Sequence, residues 1–223
     1  MRRVHKGPEP PSLETYRRTA VSPTWDEYTP KDDAHEVATR EQRQICAFCQ
    51  VSVKYGARLW KLAHVVPRNA QWAAGLPDGQ GLQLSWNNIV CVCPGGENTR
   101  KPRVMHCDSS QGNTRLLPAL EPVQFADGSL RFNWDGRITS ADSEVQTQLD
   151  EVLGLNRPPV IRGRQGALEA LMNDQGSLPS DAEREAQRQH LLRLLDPAQH
   201  SMAPLYEYAD YLLFHLREGV LAP

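Results

Sequence analysis

Cys46-Ala-Phe-Cys49, Ala63-His-Val-Val-Pro67, Trp86-Asn-Asn-Ile-Val-Cys-Val-Cys93 and Met105-His-Cys-Asp108 are four short strings in one stretch of about sixty residues, and their reading decides the fold. All five cysteines of the protein fall inside it. Two cysteines separated by two residues can grip a metal ion from one tight turn, and a later pair can complete a tetrahedral set. Cys46, Cys49, Cys93 and Cys107 are the favoured four for a structural Zn²⁺. Cys93 stands before Pro94-Gly-Gly, a turn that would present its sulfur, whereas Cys91 lies mid-strand and remains the alternative to it.

The rest of the chain sets bounds. Its 223 residues allow one or two domains, and 39% hydrophobic with 23% charged residues describes an ordinary globular protein. The start, Met1-Arg-Arg-Val-His-Lys-Gly-Pro, does not read as a signal peptide, and no apolar run approaches membrane-spanning length, so a cytoplasmic protein with no membrane partner is expected. Clustered cysteines in a reducing compartment argue for metal ligation over disulfides. A formal charge of -2 is not that of a stand-alone nucleic-acid binder, so such affinity must be local or supplied by a partner.

Three segments follow from composition. Residues 1–30 are basic and proline-rich and read as an extended arm wrapped on the domain, with phosphate or partner contact as the sharper alternative. Residues 31–120 carry the cysteine stretch. A polar helix over Lys31 to Gln44, with an aspartate to cap it, leads into Cys46. Strands are expected into His64 and over Ile89 to Cys93, separated by a loop with Gly75, Pro77, Gly79 and Gly81; a basic loop with Arg100, Lys101 and Arg103 precedes a helix from Asp108. Residues 121–223 read as a hairpin over Gln124 to Ile138 with two Asp-Gly turns, then helices from Ser143, over Val160 to Met172 after Pro158-Pro159, over Asp181 to Leu195 and over Pro204 to Leu216. The fold class is α+β: a ββα-metal finger with a zinc knot, then a hairpin and a helical region.

These strings resemble the HNH endonucleases associated with retron and Septu systems, the PtuB-like nucleases. The resemblance rests on Met1-Arg-Arg-Val-His-Lys-Gly-Pro-Glu-Pro-Pro-Ser-Leu, on the four cysteine-stretch strings, and on Gly112-Asn, Phe132-Asn-Trp-Asp-Gly-Arg-Ile, Val152-Leu-Gly-Leu-Asn-Arg and Arg162. It implies a metal-dependent nuclease of a bacterial anti-phage defence system. The implied partners are nucleic acid, a PtuA-like ATPase and a retron reverse transcriptase with its multicopy single-stranded DNA.

Phosphodiester hydrolysis needs a water relieved of its proton, and a neutral imidazole can accept it at neutral pH. His64 is the candidate general base. A divalent Mg²⁺ or Mn²⁺ would neutralise the developing charge. In the family pattern an asparagine orients the loop that presents the base; Asn88 fits best, with Asn87 beside it. His106 is expected as the third motif residue and Asp108 as a possible ligand of the catalytic cation. Three departures stand out: His-Cys-Asp in place of the usual Cys-His, Ala63 where an acid often precedes the base, and Gln111 in the usual lysine position. They keep two other classes in play, a zinc-stabilised binding subunit with a decayed site and a free-standing restriction-type nuclease. His5, His35, His190, His200 and His215 read as solvated or satisfied, and Trp60 and Trp86 as core.

Overall fold

The computed structural model describes residues 1–53, 60–68, 82–99, 103–176, 180–196 and 203–218. The loop at 75–81, the basic pair Arg100 and Lys101, and His200 lie outside the described residues.

Residues 1–30 are not extended throughout. Helix α1, Pro11–Thr19, starts with a proline in its first turn and buries Leu13 completely. Trp25 and Tyr28 are also buried, so the arm does wrap on the body of the protein. Helix α2, Lys31–Glu41, lacks the expected aspartate cap: Pro30 holds the cap position and the Asp33 carboxylate accepts from Ser12, tying α1 to α2.

Strand β1, Lys61–His64, pairs antiparallel with β2, Ile89–Val92, with Lys61 opposite Val92 and His64 opposite Ile89. All four β2 residues are buried, because α2 packs across this strand. Gln42, just past α2, fixes the edge. Its side-chain amide donates to the Cys91 and Ile45 carbonyls at 2.7 and 2.9 Å, and its oxygen accepts from Cys91 N–H at 2.7 Å. The short helix α3, Asp108–Gln111, follows Cys107.

In the second half, β3, Arg131–Phe132, pairs antiparallel with β4, Ile138–Thr139. Helix α4, Ser143–Thr147, is capped by Asp142 and runs into a π turn over Gln148–Val152. Pro158 and Pro159 open the long helix α5, Pro158–Gly176, instead of merely preceding it, since proline costs a first turn no hydrogen bond. Helices α6, Asp181–Leu195, and α7, Ala209–Arg217, pack on α5 and on each other. Leu149, Leu153, Leu155, Leu195 and Leu216 fill the space between. The two halves are joined at the cysteine stretch, where Cys107 N–H donates to the Leu153 carbonyl at 2.7 Å. Among the described residues no helix is long and apolar enough to cross a membrane.

Candidate metal centre and the adjoining histidine site

Three turns bring four sulfurs together. Cys46 and Cys49 lie on a tight turn whose exit residue, Gln50, takes a positive φ of 67°. Cys93 leaves the end of β2, and Gly95 and Gly96 turn the chain so sharply that a Cβ at either would lie 2.2–2.4 Å from the carbonyl oxygens of His106 and Val104. Cys107 adopts a left-handed φ of 55° at the start of α3. All four are buried, and their Sγ atoms lie within 4.8 Å of one another. Separations of 3.9 Å for Cys46 to Cys107, 3.6 Å for Cys49 to Cys93 and 3.8 Å for Cys93 to Cys107 match the edge of about 3.8 Å expected of four sulfurs ~2.3 Å from a central zinc.

The electrostatics of the cluster agree with that geometry. Hydrogen bonds from Cys107, Cys46 and Cys93 hold the Cys49 thiol well below its usual pKa, while burial drives Cys107 well above it. Four thiols so crowded share few charges until a cation joins them. Cys91 is excluded by its position. Its sulfur turns toward α2, 3.5 Å from Thr39 Oγ1, and burial pushes its pKa up to about 12, the behaviour of an inert core thiol.

His64 closes β1 opposite Ile89, at the end of the sheet away from Cys93. Its Nε2–H donates to the Gln83 carbonyl at 2.9 Å, which leaves Nδ1 as the accepting nitrogen of the neutral ring. Burial lowers its pKa to about 4, so the ring is uncharged at neutral pH. Asn88, 5% exposed, clamps the turn after it: Oδ1 accepts from Val66 N–H at 2.7 Å, while Nδ2 donates to the Val66 and Leu82 carbonyls at 3.1 and 3.0 Å. Asn87 points to solvent and makes no such clamp. Gln111, 2% exposed, donates from Nε2 to the Val65 carbonyl at 2.9 Å, binding α3 to the residue next to His64.

His106 and Asp108 do not join His64 in one ligand set. The ring of His106 leans on the metal cluster, with Nδ1 3.2 Å from Cys107 Sγ and 3.9 Å from Cys93 Sγ, because the residue adjoins Cys107. Asp108 ion-pairs with Lys61 Nζ at 2.9 Å, and the same ammonium binds Glu97 at 2.8 Å. Burial opposes charge on Lys61, but these two carboxylates outweigh it and raise its pKa. Ala63, buried opposite Val90, offers no donor. The residues expected to hold Mg²⁺ or Mn²⁺ are therefore committed to other partners and do not fit that ion as arranged. The four sulfurs do fit zinc.

Sequence reasoning missed Trp25. Its ring stands edge-on to His64 with centroids 5.0 Å apart, and its backbone N–H donates to Gln83 Oε1 at 3.1 Å, so the N-terminal arm packs on the imidazole. A tryptophan in a polar, proline-rich arm was the available signal. Lys61 and Glu97 carried none.

Helices, two small antiparallel sheets and a buried tetrathiol cluster fit a mixed helix-and-sheet protein with a zinc-binding, HNH-like fold. A curated protein of Escherichia coli, "Retron Ec83 putative HNH endonuclease", is similar to this chain, 26% identical over 120 residues that make up 49% of this chain and 45% of the relative. The chain thus spans about half the length of that relative. The similarity supports a retron-associated HNH nuclease family. No protein-family model matches the chain.

Proposed function

We propose that this chain is an HNH-type endonuclease that hydrolyses phosphodiester bonds of DNA or RNA as the effector of a retron- or Septu-like anti-phage system, in complex with a PtuA-like ATPase. The observation that carries the reading is the neutral imidazole of His64, fixed at the end of β1 by Gln83 while Asn88 and Gln111 hold the two residues after it. The name of the Escherichia coli relative supports the reaction class.

In this reading Nδ1 of His64 takes a proton from a water as that water's oxygen bonds to phosphorus. The P–O bond to the leaving sugar oxygen then breaks, and the alkoxide takes a proton from solvent. Asn88 and Gln111 are positioning residues: they touch the backbone that presents the ring and not the reacting atoms. Bound zinc supplies structure alone, since four thiolates leave no open coordination position. Trp25 must leave the ring before substrate can reach it. A retron reverse transcriptase with its multicopy single-stranded DNA is a further partner, consistent with a weakly acidic chain that borrows its nucleic-acid surface.

A second reading, a zinc-stabilised binding subunit, is favoured by the scattering of His106 and Asp108 and by the burial of Ala63. One experiment separates the two. The chain is purified with its co-encoded partners, supplied with Mg²⁺ or Mn²⁺ and an activating signal, and compared with His64→Ala on plasmid, single-stranded DNA and RNA. The nuclease reading expects cleavage that falls by about 10²–10⁴-fold in the variant. Intact binding with no cleavage under any activating condition selects the binding subunit.

A further inference from the structure

A cavity of about 340 Å³ lies between the N-terminal arm and the turn that carries Cys46. Four arginines line it: Arg2, Arg3, Arg40 and Arg43. Arg2 and Arg43 are only 9% and 8% exposed, an unusual burial for guanidinium groups. The anions nearby are already engaged. Glu41, the one acid of the wall, accepts from Lys6 Nζ at 2.9 Å, Gly7 N–H at 2.8 Å and Trp86 Nε1–H at 3.0 Å. Asp210, behind the wall, binds Arg2 Nε at 2.8 Å and Gln50 Nε2 at 2.8 Å. Arg43 rests on the neutral carbonyls of Ala203 and Leu194, at 2.8 and 3.4 Å. Buried Nη1 of Arg2 has no hydrogen-bond partner among the described residues. Asp210 thus takes both Nε and Nη2 of Arg2, whose Nη2 also donates to the Leu195 carbonyl, so the charge left without an ion pair among the described residues is that of Arg43 with the exposed Arg3 and Arg40. Burial first, then the like charge of Arg2, lowers the pKa of Arg43.

The other wall is apolar, formed by Val4, Val37, Ile45 and Leu205. A bare anion would leave that surface facing water. A group with a planar, largely apolar body and a phosphate satisfies both walls, since guanidinium forks match phosphate oxygens in pairs. The volume is at the lower end of the ~300–1,000 Å³ usual for small-molecule sites, enough for one nucleotide and far too small for a duplex.

We propose that this cavity binds a single nucleoside monophosphate unit, phosphate on the arginines and base against the apolar wall, either as a free nucleotide or as the 5′-phosphorylated end of a strand. The choice of a nucleotide draws on the nuclease reading, but the site lies on residues apart from His64 and is assayed without cleavage.

The test uses the zinc-loaded full chain without added Mg²⁺ or Mn²⁺, with AMP, dAMP, inorganic phosphate, and one short oligonucleotide carrying either a 5′-phosphate or a 5′-hydroxyl. Arg3→Gln and Arg40→Gln, both at exposed positions, report on the site without disturbing the buried pair. The expected result is saturable binding by calorimetry, with a melting temperature raised by about 2–4 °C, and affinity about tenfold weaker in each variant. Tighter binding of the 5′-phosphorylated oligonucleotide than of AMP and of the 5′-hydroxyl form assigns the strand end; the reverse order assigns the free nucleotide. Inorganic phosphate binding as tightly as AMP overturns the nucleotide assignment. No binding of any probe, or binding indifferent to both arginines, overturns the site. Binding is read without cleavage, so a failed cleavage assay leaves this outcome unaffected.

Discussion

The cysteine cluster and the histidine site come from the same four strings of sequence, yet one is fully gathered and the other is not. Four sulfurs from three turns reach mutual contact distances of a metal tetrahedron. Of the residues expected to share catalysis, His64 and Asn88 are neighbours through the turn at Val66, while His106 leans on sulfur and Asp108 holds a lysine. The difference is one of constraint. A tetrathiol centre holds the chain's shape together, so its ligands must all converge. A cleavage site needs its groups together only when substrate is present, and here the arm residue Trp25 packs on the imidazole.

Removing the gathered part has the largest expected effect. Cys107→Ser, or extraction by a strong chelator, deletes an interaction worth ~10 kcal/mol or more in small zinc modules, comparable to the stability of a whole domain. The expected outcome is no bound zinc by elemental analysis and loss of the cooperative unfolding transition. Cys91→Ala retains one zinc per chain and an ordinary melt, because its sulfur faces Thr39. Zinc lost on changing Cys91 and kept on changing Cys93 would invert the assignment.

The histidine site breaks at lower cost. Asn88→Ala removes three hydrogen bonds and strands the Val66 N–H and carbonyl in a half-buried turn, while the Leu82 carbonyl keeps the Ser85 N–H, a loss of about 2–4 kcal/mol. The zinc-loaded variant should melt roughly 5–15 °C lower and release the His64 ring from its position. An unchanged melt would show that the turn holds without its clamp.

Acid separates the two regions in another way. His64 and His35 both have pKa values lowered to about 4, chiefly by burial. The unfolded chain binds protons near pH 6.5 that the folded chain refuses until about pH 4. Between those values the unfolded state carries more protons, so stability is full above pH 6.5 and falls as pH drops through the window, by up to about 3 kcal/mol for each ring. Chemical denaturation at pH 7, 6, 5 and 4 should show the decline, and His35→Gln or His64→Gln should flatten its share of it. Trp25→Ala opens His64 to water and should raise that ring's pKa toward its ordinary value, read by NMR titration.

The cluster was legible because zinc ligation leaves a spacing: Cys-x-x-Cys with two later cysteines reduces the choice to Cys91 or Cys93, the Pro94-Gly95-Gly96 turn favours Cys93, and the position of the Cys91 sulfur against Thr39 decides it. Both strands of the first sheet were readable from their short apolar alternation, and Asn88 from its place before β2. Trp25 was not, because a contact across 39 residues leaves no periodicity. Nor were the partners of Asp108 and His106. Lys61 looks like any lysine on a strand, and only the path of the chain after Cys93 brings Glu97 and Asp108 to it. The extended reading of residues 1–30 failed at α1 because two prolines at a helix start resemble a linker when Leu13 has no visible partner.

His106 offers the finest discrimination between the two regions, since it was expected in one and stands against the other. At 3.2 Å from Cys107 Sγ, Nδ1–H can donate to a thiolate and drain charge from a centre that four sulfurs make strongly anionic. Loss of such an outer hydrogen bond typically weakens metal binding by 10–100-fold, about 1.4–2.7 kcal/mol. His106→Phe should therefore fold and hold zinc, but surrender it to a competing chelator about 10–100-fold more readily. If zinc competition is unchanged while cleavage by the activated complex disappears, the ring belongs to the reaction, and the arrangement seen here is a resting one from which His106 must swing toward His64.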